Sequence, residues 1–178
     1  MFTEIQTPHI VLLGDSIFDN KVYVPGGPDV VTQLREQLPQ GWKASLCAVD
    51  GHVTRDVPRQ LEMVNGEATH LVVSVGGNDA LQSADVLMRG VGSVAEAMGV
   101  LANVVEKFEC DYRCVLRDVV SRHLPTTVCT IYNPRFEDPF QQRVCVAALC
   151  LFNDAIIRTA CRFGVPVLDL RQICTEYS

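Results

Sequence analysis

The chain has 178 residues, of which 48% are hydrophobic and 20% charged, with a formal net charge of -6. That length suits one domain around a single core. The acidic balance, with no lysine- or arginine-rich run, excludes the basic face that nucleic acid requires. Nothing approaches the roughly 20 consecutive apolar residues of a membrane span, and the most apolar stretch, Val144 to Phe152, reads as a buried helix. The first six residues, Met1 to Gln6, lack the basic region and apolar core of a secretory signal, so a cytoplasmic location is expected. Eight cysteines are present. Cys47, Cys129, Cys145, Cys150 and Cys161 fall in apolar strand or helix patterns and are expected to be reduced core residues. Cys110 and Cys114 lie one helical turn apart without a second ligand pair, which argues against zinc.

Taken in chain order, the first strand is expected over His9–Leu13. A helix follows with Pro28 at its first position, ending before Pro39-Gln40-Gly41. The second strand spans Trp42–Val49, and Thr54 caps a helix carrying Val57, Leu61 and Val64, with Pro58 tolerated in its first turn. The third strand is His70–Val75. Ser93 and Glu96 have capping-box spacing and open a long helix in which Val94, Met98, Leu101, Val105, Phe108, Tyr112, Val115 and Val119 recur at helical intervals. The fourth strand is Thr126–Ile131. The last helix opens at Asp138-Pro139 with Gln141 at its third position, closes at Gly164, and leads to a fifth strand at Pro166–Leu170. Short apolar strands alternating with crossover helices predict a three-layer α/β/α domain: a doubly wound, five-stranded parallel sheet of flavodoxin-like character in one domain over residues 1–178.

Three strand ends carry the chemistry. Ile10-Val11-Leu12-Leu13 breaks into Gly14-Asp15-Ser16-Ile17, which puts a hydroxyl at the carboxyl edge of the sheet, where open α/β folds bind ligands. Ala48-Val49-Asp50-Gly51-His52 ends the second strand at a glycine. Val73-Ser74-Val75-Gly76-Gly77-Asn78-Asp79 ends the third at an asparagine. A serine, a glycine N–H and an asparagine amide on one edge form the set that acyl transfer needs, a nucleophile with donors for the developing oxyanion. Asp15 and Asp79 are expected to brace their loops, and the loop 132–137 is expected to border the same cleft.

In these blocks the chain resembles the SGNH (GDSL-type) hydrolases over essentially its whole length. The resemblance implies Ser16 as nucleophile, Gly51 and Asn78 as oxyanion donors, and the same α/β/α architecture. It implies a serine esterase or acyl hydrolase, acting on a carboxylic ester, O-acetyl or thioester group of a small molecule, with no cofactor or metal. The family's last block, Asp-x-x-His, supplies the base and its orienting carboxylate. No such block follows Val165-Pro166-Val167-Leu168-Asp169-Leu170. The expectation is a chain cut before its last helix, the alternatives being a base elsewhere or lost catalysis. Among the four histidines, His9, His70 and His123 fall at the wrong edge, and His52 alone emerges beside the candidate site. Asp169 is expected to brace a loop. The rival reading is a pseudoenzyme that holds a small acyl or carboxylate ligand. A flavodoxin-type nucleotide binder is disfavoured, because no glycine-rich phosphate cradle follows the first strand.

Overall fold

The computed structural model describes residues 7–174. Its five strands are β1 (His9–Gly14), β2 (Lys43–Leu46), β3 (His70–Ser74), β4 (Thr126–Cys129) and β5 (Val167–Leu168). They form one sheet in the order β2-β1-β3-β4-β5, and every neighbouring pair is parallel. The expected doubly wound fold is therefore the observed one. In this order successive connections leave β1 in opposite directions, so a crevice opens at the carboxyl ends of β1 and β3.

Alternation along the strands builds two cores. Val11 and Leu13 of β1, Leu71 and Val73 of β3 and Val128 of β4 point into the larger one. It lies beneath α2 (Val57–Glu62), α4 (Val94–Val120) and α5 (Pro139–Phe163). Leu12, Ala44 and Cys129 point the other way, against Val31 of α1 (Val30–Gln37) and Leu170 of α6 (Leu170–Ile173). A period of two in burial is what a sheet covered on both faces requires.

Four strands stop short of their expected ends, β3 by Val75 alone, and in the other three the backbone groups are claimed elsewhere. The Cys47 and Ala48 N–H groups both donate to the Leu12 carbonyl, at 2.8 and 2.9 Å, which takes the chain out of the β2 ladder. At the end of β4 the Ile131 N–H donates to Asn153 Oδ1 at 2.7 Å instead of to a strand. After β5 the Asp169 side chain accepts from the Arg171 N–H and starts α6.

Helix starts also differ in detail. Pro28 is not the first position of α1, which begins at Val30 with Asp29 as its cap, the Asp29 carboxylate accepting from Thr32 N–H at 2.9 Å. Thr54 does not cap a helix. It opens a short 3₁₀ turn, Thr54–Asp56, and its hydroxyl donates to Asp79 at 2.9 Å. Ser93 caps α4 as expected, accepting from Glu96 N–H, but the Glu96 carboxylate takes the Gly92 N–H in place of its own cap's. Asp138 and Gly164 bound α5 as expected, Gly164 at φ 67°. Gln142 rather than Gln141 reaches back, accepting from Phe136 N–H and donating to the Pro134 carbonyl.

The two long helices overhang the sheet. At 1.5 Å per residue α4 is about 40 Å long, against strands of roughly 7–20 Å. Both helices begin at the carboxyl edge, so Phe108, Tyr112, Val115 and Val119 are buried on the sheet while Val94 and Met98 stand exposed beyond it. The Val144–Phe152 stretch is mostly half-buried, with Ala147 and Cys150 exposed. α5 is long and apolar enough to cross a membrane by length and composition alone. In this fold its Phe152, Ala155, Ile156 and Ala160 pack into the larger core. All eight cysteines are free, as expected. Cys150 and Cys161 are exposed, however, not in the core. The apolar pattern that contained them continues around the helix past the buried stripe.

Candidate active site

The turn after β1 is built around Gly14. Its φ is 126°, and a Cβ there would lie 1.7 Å from the Ser74 carbonyl oxygen. Only glycine fits that close approach of β1 to β3. The Asp15 N–H then donates to the same Ser74 carbonyl at 3.0 Å, and Phe18 and Asp19 N–H groups close back onto the Asp15 carbonyl. Ser16 is thereby lifted onto the carboxyl edge, half-buried.

Gln60 holds this turn from beneath. It is fully buried, its Oε1 accepting from Gly14 N–H at 2.7 Å and its Nε2 donating to the Gly14 carbonyl at 2.8 Å. Nε2 also approaches His52 Nδ1 at 2.9 Å. Gln60 was not foreseen as part of the site. Its signal was there: with Val57, Leu61 and Val64 it completes the spacing i, i+3, i+4, i+7, so a polar residue stands on a buried stripe.

Asn78 lies in the first turn of α3 (Gly77–Gln82). Its Nδ2 donates to the His52 carbonyl at 2.9 Å, which uses one of the amide's two N–H bonds and leaves the other. Ser16 and Asn78 line one cavity of about 250 Å³. Gly51, at φ 79°, is exposed in open space and is not part of the cavity wall. It reaches the site through its neighbour, since the Asn78 amide is bonded to His52.

Beyond the polar end formed by Asp15, Ser16, Ser74 and Asn78, the cavity walls are mostly apolar, with Ser83 among them. Leu101, Val104 and Val105 come from the overhang of α4, and Leu149 and Phe152 from that of α5. Ala80 and Leu81 of the helix that carries Asn78, with Val86 and Leu87 just after it, form a further side, and Ile131, Tyr132, Pro134 and Phe136 another, so the loop 132–137 borders the cleft as expected. Asn153 fixes the start of this loop. Fully buried, it takes both the Ile131 N–H and, at 2.9 Å, the Ile131 carbonyl.

The carboxylates act as braces. Asp15 Oδ1 accepts from Ile17 N–H at 3.2 Å. Burial, reinforced by Asp79 and Asp50, pushes the Asp15 pKa up to about 6. Asp79 accepts from both the N–H and the hydroxyl of Thr54, and its carboxyl is raised by burial. Asp169 accepts from Thr130 Oγ1 and pairs with Arg171. The Arg171 guanidinium holds its pKa down at about 2.

Among the described residues, no side chain hydrogen-bonds the Ser16 hydroxyl. His9 bonds Ser45 at the start of β1. His70 bonds Thr69 and stacks on Trp42. His123 follows α4 at φ 54°. His52 is the histidine at the carboxyl edge, and Gln60 occupies its Nδ1.

Solved structures share this fold. The extracellular lipase of Streptomyces rimosus superposes with a TM-score of 0.68 at 17% identity, over 93% of this chain and 81% of that one. The phospholipase A1 of Streptomyces albidoflavus NA297 gives 0.69 at 20% identity, over 93% and 80%. An acetyl xylan esterase, AlAXEase, gives 0.68 at 20%, over 92% and 78%. These likenesses are of fold. No curated protein matches by sequence. The GDSL-like lipase/acylhydrolase family model matches residues 12–178, a span that takes in the Ser16, Gly51 and Asn78 blocks. With that span and this sheet order, the chain belongs to the GDSL-like lipase/acylhydrolase family of hydrolases.

Proposed function

We propose that the protein is a serine acyl hydrolase that cleaves a carboxylic ester, O-acetyl or thioester group through an acyl-serine intermediate. The observation that carries this is the shared cavity: Ser16 and Asn78 stand at the polar end of a pocket whose other walls are mostly apolar. Ser16 Oγ attacks the carbonyl carbon and gives its proton to a general base, a group that no side chain bonded to Ser16 among the described residues supplies. The carbonyl oxygen becomes an oxyanion, received by the Ser16 N–H and the free N–H of the Asn78 amide, the two residues that line the cavity. Collapse of this intermediate expels the alcohol or thiol, which takes up the proton. Water then repeats the attack on the acyl-serine and releases the acid.

The cavity also bears on the acyl group. At about 30 Å³ for each water-sized group, a pocket of 250 Å³ holds roughly eight heavy atoms of an acyl chain. Turnover of a series of p-nitrophenyl esters from acetyl to dodecanoyl tests this, with kcat/KM expected to peak near octanoyl. A monotonic fall from acetyl contradicts it.

The second reading is a pseudoenzyme that binds an acyl or carboxylate ligand. It is favoured by one observation, that Ser16 has no basic partner among the described residues. A fatty acid that binds stoichiometrically to a protein giving no acyl-ester turnover, and no reaction of Ser16 with a fluorophosphonate, decides for it.

A further inference from the structure

The orientation of the Gln60 amide is set by backbone alone. Its oxygen faces the Gly14 N–H and its nitrogen the Gly14 carbonyl. Reversal would set donor against donor and acceptor against acceptor in a place without solvent; the Gly14 carbonyl would keep the Val49 N–H, but the Gly14 N–H would lose its partner. The amide nitrogen has two hydrogens. One goes to Gly14, so the group that Gln60 directs at His52 Nδ1 is the other, and Nδ1 must accept it. A neutral imidazole that accepts at Nδ1 carries its proton on Nε2.

We propose that Gln60 is a positioning residue that holds His52 as the Nε2-protonated tautomer and couples the serine turn to the oxyanion donor. A base acting from Nε2 needs its proton on Nδ1, as the serine triad shows. His52, held the other way, carries its proton on Nε2 and is not a base from that nitrogen. Coupling runs through short bonds. Gln60 clamps Gly14, two residues before Ser16, and bonds the His52 ring, whose backbone carbonyl receives Asn78 Nδ2 at 2.9 Å. Nucleophile and oxyanion donor are thus aligned by one buried amide. This catalytic consequence rests on the acyl-serine reading above, whereas the tautomer does not.

The test is long-range ¹H–¹⁵N correlation on the full chain with ¹⁵N-labelled histidine, near neutral pH. The expected result for wild type is a His52 ring with bare Nδ1 and protonated Nε2. A ring protonated on Nδ1, or an averaged mixture of the two forms, overturns the proposal without any variant having to fold. Gln60→Glu replaces the donor with an acceptor and is expected to move the proton onto His52 Nδ1. An unchanged His52 signature in folded Gln60→Glu also overturns it. In the same variant the fluorophosphonate reaction rate of Ser16 is expected to fall on the order of 10²-fold, as displaced catalytic groups do. A wild-type rate in that variant removes the coupling. If wild type does not react at all, the acyl-serine reading fails while the tautomer still decides the assignment of His52.

Discussion

At the residue scale, the serine turn depends on Gly14 more than on Ser16 itself. Gly14→Ala would add a contact of 1.7 Å with the Ser74 carbonyl to a backbone strain of about 1–3 kcal/mol. The expected outcome is loss of the cooperative thermal transition, whereas Ser16→Ala should unfold within about 0.5 kcal/mol of wild type. Asp15 gives a signed pH effect. Its pKa is raised to about 6 in the folded protein from 3.8, so folding disfavours its charged form. The penalty is absent below about pH 4, grows as pH rises through the folded pKa and is full above it, worth about 3 kcal/mol. Asp15→Asn keeps an oxygen for the Ile17 N–H and has no charge to bury. Its stability relative to wild type should therefore rise by about that amount between pH 4 and pH 8 in urea titrations. A pH-independent difference would show that the Asp15 carboxylate is not penalised.

At the scale of elements, strands and helix ends were legible where local chemistry decides them. The apolar runs located all five strands. Ser93, Asp138 and Gly164 placed the bounds of α4 and α5, because their caps use neighbours in the chain. Strand ends and buried polar clamps were not legible, because their partners are remote. Trp42–Val49 stops early on account of the Leu12 carbonyl, and Thr126–Ile131 on account of Asn153, 22 residues away. Gln60 and Asn153 share one signature, a carboxamide on a helix stripe that otherwise faces the core, and each holds both backbone groups of a residue at a strand end. Asn153→Leu should leave the Ile131 N–H and carbonyl unpaired. The expected loss is roughly 1–3 kcal/mol per group, read in urea unfolding, together with faster hydrogen exchange in the loop 132–137.

At the scale of the molecule, helices longer than the strands they cover make the cavity. Ser16 and Asn78 were readable as motifs, but the pocket they open onto belongs to the overhangs of α4 and α5, which only the assembled fold reveals. Leu149→Trp should fill part of that space, lowering kcat/KM for octanoyl more than for acetyl esters. The cysteines map the same assembly. Under denaturing conditions all eight should titrate as free thiols. In the folded protein the exposed Cys110, Cys114, Cys150, Cys161 and Cys174 should react first, and buried Cys129, its thiol pushed up to about 12 by burial, last. The central claim, that this edge of the sheet forms an acyl-serine, is tested most directly by treating the folded chain with a fluorophosphonate and mapping the adduct by peptide mass spectrometry. The account predicts one adduct, on Ser16, lost in Ser16→Ala and formed about 10²–10³-fold more slowly in Asn78→Ala. An unlabelled Ser16 in folded protein, or an adduct on another residue, would contradict it.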